Sequence, residues 1–119
     1  MSKRTDREFL SDILEAIRRI QSYTARMDYE AFLRDMKTQD AVVRNLEIIG
    51  EAAKNLSQEI RQKHSNISWK SMAGVRDRLI HHYFGINLDV VWEIVTADLG
   101  PVASQVEQIL GVNIKTEET

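Results

Sequence analysis

Apolar residues recur every three to four positions over most of the chain, a spacing that predicts helices nearly end to end. From Arg7 to about Tyr23, Phe9, Ile13, Ile17 and Ile20 form a stripe with Leu10 and Leu14 alongside, while Arg4, Arg7, Asp12, Arg18 and Arg19 lie off it. That is an amphipathic first helix. Asp28 suits an N-cap, and Tyr29, Phe32, Leu33 and Met36 share a face, predicting a short second helix that ends near Lys37. Thr38 as N-cap, with Asp40 in the first turn, opens a long third helix to roughly Lys63. Its seam, Val42, Leu46, Ile49, Ala53, Leu56 and Ile60, alternates steps of four and three and runs straight along a neighbour, in a bundle or in another subunit. The flank of Asn45, Ile48, Ala52 and Asn55 is small and half polar, and Gly50 thins the helix beside it. Tight core packing and a subunit-facing or site-lining role fit that flank equally.

Beyond a polar loop at His64-Ser65-Asn66-Ile67, Ser68 can cap a fourth helix that starts at Trp69, runs through Phe84 and stops at Gly85. Asn87 can cap a fifth, with Leu88, Val91, Trp92, Val95 and Leu99 buried. Gly100-Pro101 is expected to break it and start a last helix through Val102, Val106, Ile109 and Leu110, ended by Gly111. Strand alternation is absent. The expectation is one all-α domain over residues 1–111, a bundle of about five to six helices, with a frayed tail at 112–119.

A chain of 119 residues supports one domain with a real core. A net charge of −2 excludes a globally basic nucleic-acid binder, so contact with phosphate must come from a local cluster. Lys70, Arg76, Arg78, His81 and His82 supply one. The lack of cysteine removes thiol catalysis, thiolate metal sites and disulfides, and fits a reducing compartment. The charged start carries no apolar core of signal-peptide length, and no apolar run nears the roughly 20 residues of a membrane span. A cytoplasmic protein that engages no membrane is expected.

The ionisable groups concentrate in Arg76, Asp77, Arg78, His81, His82 and Tyr83, beside core-type Leu79 and Ile80. Such density beside apolar residues is unfavourable unless a site uses it. At about 100° per residue, Arg76 and Tyr83 fall nearly in register on a helix while His81 points away from Arg76. Either the helix unwinds at His81, or a symmetric second copy supplies the missing group. A dimer placing two such stretches in one cleft is chemically the more productive arrangement. Asp77, four residues before His81, can accept a hydrogen bond from the imidazole on a continuous helix and fix its tautomer. An arginine to grip a phosphodiester, a histidine to exchange protons near neutral pH and a tyrosine hydroxyl suffice to cleave RNA without a metal. The ribose 2′-hydroxyl would be the nucleophile, deprotonated by His81, with Arg76 stabilising charge on phosphorus. Arg78, His82 and Lys70 are RNA-facing candidates. Adjacent His81 and His82 lack helix-compatible ligand spacing, so neither a metal site nor a cofactor is expected.

Arg76, then four residues, His81, one residue and Tyr83 resemble the signature of the HEPN superfamily, and the wider text resembles its HepT-like branch of toxin proteins. The likeness runs through Val43-Arg44-Asn45-Leu46-Glu47-Ile48-Ile49-Gly50-Glu51-Ala52-Ala53, Ile67-Ser68-Trp69, Val75 to Gly85 and Val91-Trp92. The loop before Trp69 lacks a proline the branch would lead one to expect. The resemblance implies a dimeric helical bundle with metal-independent endoribonuclease activity, acting as the toxin of a toxin–antitoxin system. It further implies a minimal nucleotidyltransferase (MntA-like) antitoxin that transfers AMP to the tyrosine, here Tyr83. Arg44, Asn45 and Glu51 stand in the likeness as supporting residues.

Plainer readings compete. Arg76 can instead form a salt bridge to Glu47 or Glu51, and Tyr83 can be amphipathic core. The chain as a whole can be a non-catalytic HEPN module that binds a nucleotide or a partner nucleotidyltransferase, or a helical dimerisation adaptor.

Overall fold

The computed structural model describes residues 4–81 and 85–111, with backbone alone at His81. The expected tail and the positions of His82, Tyr83 and Phe84 lie outside the described residues. Helix α1 (Asp6–Thr24) begins with a reciprocal cap: the Thr5 hydroxyl accepts from the Glu8 amide, and the Glu8 carboxylate accepts from the Thr5 amide at 3.0 Å. Leu10, Ile13, Leu14, Ile17 and Ile20 are buried, as the stripe predicts. They pack on α3 (Met36–Lys54), whose Val42, Leu46, Ile49 and Ala53 are buried in turn.

The boundaries differ from expectation wherever a side chain finds a better partner for a free backbone group. Helix α2 (Tyr29–Leu33), capped by Asp28, ends at Leu33 and not near Lys37, because the Gln39 amide donates to the Phe32 and Leu33 carbonyls at 2.9 and 3.1 Å. Asp35, not Thr38, caps α3. Its carboxylate accepts from the Thr38 amide at 3.0 Å and from the Thr38 hydroxyl at 2.8 Å. The long third helix stops at Lys54, nine residues early, and a separate α4 (Gln58–Lys63) follows. Ser57 caps α4, and its amide donates to the Asp6 carboxylate at 2.8 Å, tying this corner to the start of α1. Arg61 donates to the Leu56 carbonyl at 2.8 Å in the corner and to the Lys54 carbonyl, the last of α3, at 3.5 Å.

The fourth helix also divides. Helix α5 (Trp69–Ala73) bends at Gly74 into α6 (Val75–Leu79), and the backbone turns extended at Ile80 with φ −90° and ψ 124°. The expected continuation through Phe84 is overturned. In its place a minimal antiparallel ladder pairs β1 (Ile80–His81) with β2 (Gly85–Ile86), Ile80 facing Ile86 and His81 facing Gly85. The Leu79 carbonyl is taken by the Asn87 amide at 2.7 Å, so the helix has no hydrogen bond on which to continue. Gly85 shapes the return, holding φ +78° in the left-handed region, and does not stop a helix.

Asn87 caps α7 (Leu88–Glu93) through the Asp89 and Val90 amides. Trp92 of α7 lies against Phe32 and Tyr29 of α2, ring centroids 5.1 and 6.1 Å apart. Gly100-Pro101 does not break the chain. A π turn over Ile94–Asp98, with the Leu99 amide reaching Ile94, leads directly into α8 (Leu99–Leu110). Pro101 then falls in the first turn of α8, where a missing amide is tolerated. Helix α8 packs on α1, and Arg7 donates to the Leu110 carbonyl at 2.8 Å. The whole is an all-α, HEPN-type bundle.

A close approach between α3 and the bend at Gly74 is permitted by Gly50. A Cβ there would sit 3.0 Å from Val75 Cγ1 and 3.2 Å from the Met72 carbonyl oxygen, so the bend between α5 and α6 rests directly on α3. Gly50→Val should destabilise by about 1–3 kcal/mol through overpacking, read by urea denaturation. A second expectation concerns Asp35. The Thr38 amide, then its hydroxyl, hold this carboxyl below its ordinary value of 3.8. Its stabilising contribution is therefore complete above that value and lost as pH falls through the depressed one. Asp35→Asn keeps an acceptor at the cap and removes the titration, so between about pH 5 and pH 3 the variant should lose less stability than the parent.

Candidate active site

Helix α6 is five residues long and alternates sharply. Val75 and Leu79 are buried, while Arg76, Asp77 and Arg78 are exposed. Burying two apolar anchors leaves the polar residues no choice but to face outward, in different directions.

Arg76 stands over a groove of about 210 Å³ formed with Arg44, Glu47, Glu51 and Lys54 of α3 and floored by Gly50 and Ala73. Its nearest carboxylate is Glu47, Nε to Oε2 4.0 Å, with the Arg76 side chain 71 % exposed. The simple salt-bridge reading predicted such a partner, and this one is long and solvated. Exposed pairs of this kind contribute little. Arg44, Glu47, Glu51 and Lys54 follow one another by three, four and three, which places them on one helical face. That spacing would have found Lys54, which the reading of the sequence missed. Asn45, by contrast, is buried and donates to the Ala41 carbonyl at 2.9 Å, outside this groove.

Arg78 borders a different cleft and lies 4.0 Å from Asp98, both half exposed. Lys70 is exposed on α5. Asp77 is exposed, and its carboxylate has no hydrogen bond or ion pair among the described residues. The end of α6 at Leu79 removes the helical register on which an Asp77–His81 hydrogen bond was expected. The backbone instead unwinds one residue before His81, which is the first of the two remedies for the divergence of Arg76 and His81. Tyr83 and His82 lie outside the described residues. Among the described residues no cluster of three His, Asp or Glu side chains has metal-binding geometry, and no helix is long and apolar enough to cross a membrane.

The bundle thus presents Arg76 on a short helix, with the backbone extended from Ile80 to His81. A family model described as Ribonuclease HepT-like matches residues 13–109. The chain belongs to that family. Among its relatives is a provisionally named RNase of Methanocaldococcus jannaschii, 46 % identical over 110 residues that cover 92 % of this chain and 91 % of the relative. The "Probable ribonuclease HepT" of Thermococcus cleftensis is 44 % identical over 107 residues, covering 90 % of this chain and 97 % of that protein. No solved structure matches the chain.

If Arg76 serves chemistry and not stability, Arg76→Ala should change the free energy of unfolding by less than about 0.5 kcal/mol, as surface substitutions do. Chemical denaturation decides the point. A loss of several kcal/mol would return the residue to the role of a structural ion-pair partner.

Proposed function

We propose that this ribonuclease is the toxin of a toxin–antitoxin pair, a metal-independent endoribonuclease whose active site is completed by a second copy of the chain. The observation that carries the reading is Arg76: fully committed to no partner, held on an anchored helix, and followed by a backbone that turns extended immediately before His81. The resemblance of the Arg76–His81–Tyr83 spacing to the HEPN signature supports the same assignment.

In the proposed reaction, His81 of one copy takes the proton of the ribose 2′-hydroxyl, whose oxygen attacks the adjacent phosphorus. Arg76 stabilises the negative charge accumulating on the phosphoryl oxygens. The bond from phosphorus to the 5′-oxygen breaks, and His81 of the second copy returns a proton to that oxygen. The products are a 2′,3′-cyclic phosphate and a free 5′-hydroxyl. Asp77 orients or charges the imidazole through the unwound segment and not along a helical face. Lys70, Arg78 and His82 add local positive charge for RNA, and Arg44 and Glu51 flank Arg76 in its groove.

Silencing would come from a minimal nucleotidyltransferase antitoxin transferring AMP to Tyr83. A phosphate-bearing group on that hydroxyl brings negative charge and competes with substrate for Arg76. The exposed ladder residues Ile80 and Ile86, 46 and 39 % accessible, lie beside this segment and offer apolar surface for the second copy.

Expression of the chain should arrest growth, and Arg76→Ala or His81→Ala should each abolish the arrest and lower RNA cleavage by at least about 100-fold. Arrest that survives both substitutions would favour the non-catalytic module. Co-expression with a minimal nucleotidyltransferase of the antitoxin type should add the mass of one AMP to Tyr83. An unmodified chain, or an adduct mapped elsewhere, would refute the proposed silencing.

A further inference from the structure

A second cleft, larger than the groove of Arg76, opens beside it. It measures about 480 Å³ and lies on the other side of α6, between that helix, α3 and the π turn leading into α8. Arg76 and Arg78, two residues apart, project about 160° from each other. One therefore serves each opening. Val75 lines both, so a helix about 10–12 Å across is all that stands between them.

The lining of the larger cleft is of a different kind. Its floor is apolar, with Met72 and Ile94, and its rim carries Asn66, Gln105, Asp98 and Arg78. The π turn, which absorbs the chain ahead of Pro101, helps to set Asp98 at this rim opposite Arg78. Such turns recur at functional sites. The cleft's volume falls within the range of small-molecule sites. A phosphate would fit poorly, because the charged side chains of this lining are one cation, Arg78, and one carboxylate, Asp98, which leave no net positive charge, whereas the groove of Arg76 keeps an excess of cations. Two carboxamides, one carboxylate and one guanidinium around an apolar floor match instead the edge of a heterocycle that both donates and accepts hydrogen bonds, with its face on Met72 and Ile94.

We infer that this cleft receives one nucleobase of the RNA substrate, flanking the phosphate that Arg76 holds, and so selects the sequence that is cut. The inference rests on the ribonuclease reading and names its base-reading subsite. RNA-binding proteins commonly read unstacked single-stranded bases in this manner.

The test measures binding, so it does not depend on cleavage. The full-length chain is titrated with uncleavable 2′-O-methyl trinucleotides that differ at a single base, and with the four free nucleosides as competitors. One base at one position should bind at least about fivefold more tightly than the others. Asp98→Asn and Gln105→Ala should each reduce that preference to below about twofold, while the affinity for the disfavoured trinucleotides stays within about twofold of the parent. Gln105→Ala, at a half-exposed site on α8, keeps the test open should Asp98→Asn fail to fold. Absence of base preference in the parent, or a preference that survives both substitutions, overturns the inference. So does a free nucleoside competing as strongly as the trinucleotide carrying its base, which would give the cleft to a free metabolite. Failure of the nuclease reading shows separately, as loss of arrest and of cleavage in the parent chain.

Discussion

The contact of Gly50 with the bend between α5 and α6 is the constraint on which the candidate site depends. A glycine at that point of α3 lets Val75 and the Met72 carbonyl approach to distances that a methyl group would contest. With Val75 and Leu79 sunk into the bundle, α6 cannot rotate, and Arg76 is held over α3 by that packing, its ion pair with Glu47 being long and solvated. The helix is too short to be stable alone. Its geometry is therefore a property of the packing beneath it, and the polar residues it carries are positioned by apolar ones.

The end of α6 matters as much as its seat. Because the Leu79 carbonyl is occupied by the Asn87 amide, the chain leaves the helix before His81 and returns through Gly85 in a two-residue ladder. A straight helix would have sent the arginine and the histidine in different directions. The unwound segment ends the helical register on which that divergence rested. Two openings thus flank one short helix: a charged groove, and an apolar cleft with carboxamides at its rim.

Much of this was legible in the sequence. The stripes of α1 and α3, the Asp28 and Asn87 caps and the Gly111 stop all followed from residue types at helical spacing. What the pattern hid were the breaks. The seam of α3 runs on through Leu56 even though the helix ends at Lys54, since burial continues when the backbone bends, and Ser57 was the signal of a new start. Asp35 and Thr38 are both good caps, and only the structure decides which side chain reaches the other's amide. Apolar Leu79 and Ile80 suit helix and strand alike, so the turn at Ile80 was fixed by Asn87, eight residues from Leu79 along the chain. Gly100-Pro101 looked like a break because a π turn leaves no mark in hydrophobic spacing.

The chemistry of the cut ends tests the central claim most directly. RNA incubated with the purified chain in excess chelator should yield fragments ending in a 2′,3′-cyclic phosphate on one side of the break and a 5′-hydroxyl on the other. Fragments with 5′-phosphates, or cleavage that stops when metal is removed, would contradict 2′-hydroxyl attack at the Arg76–His81 site.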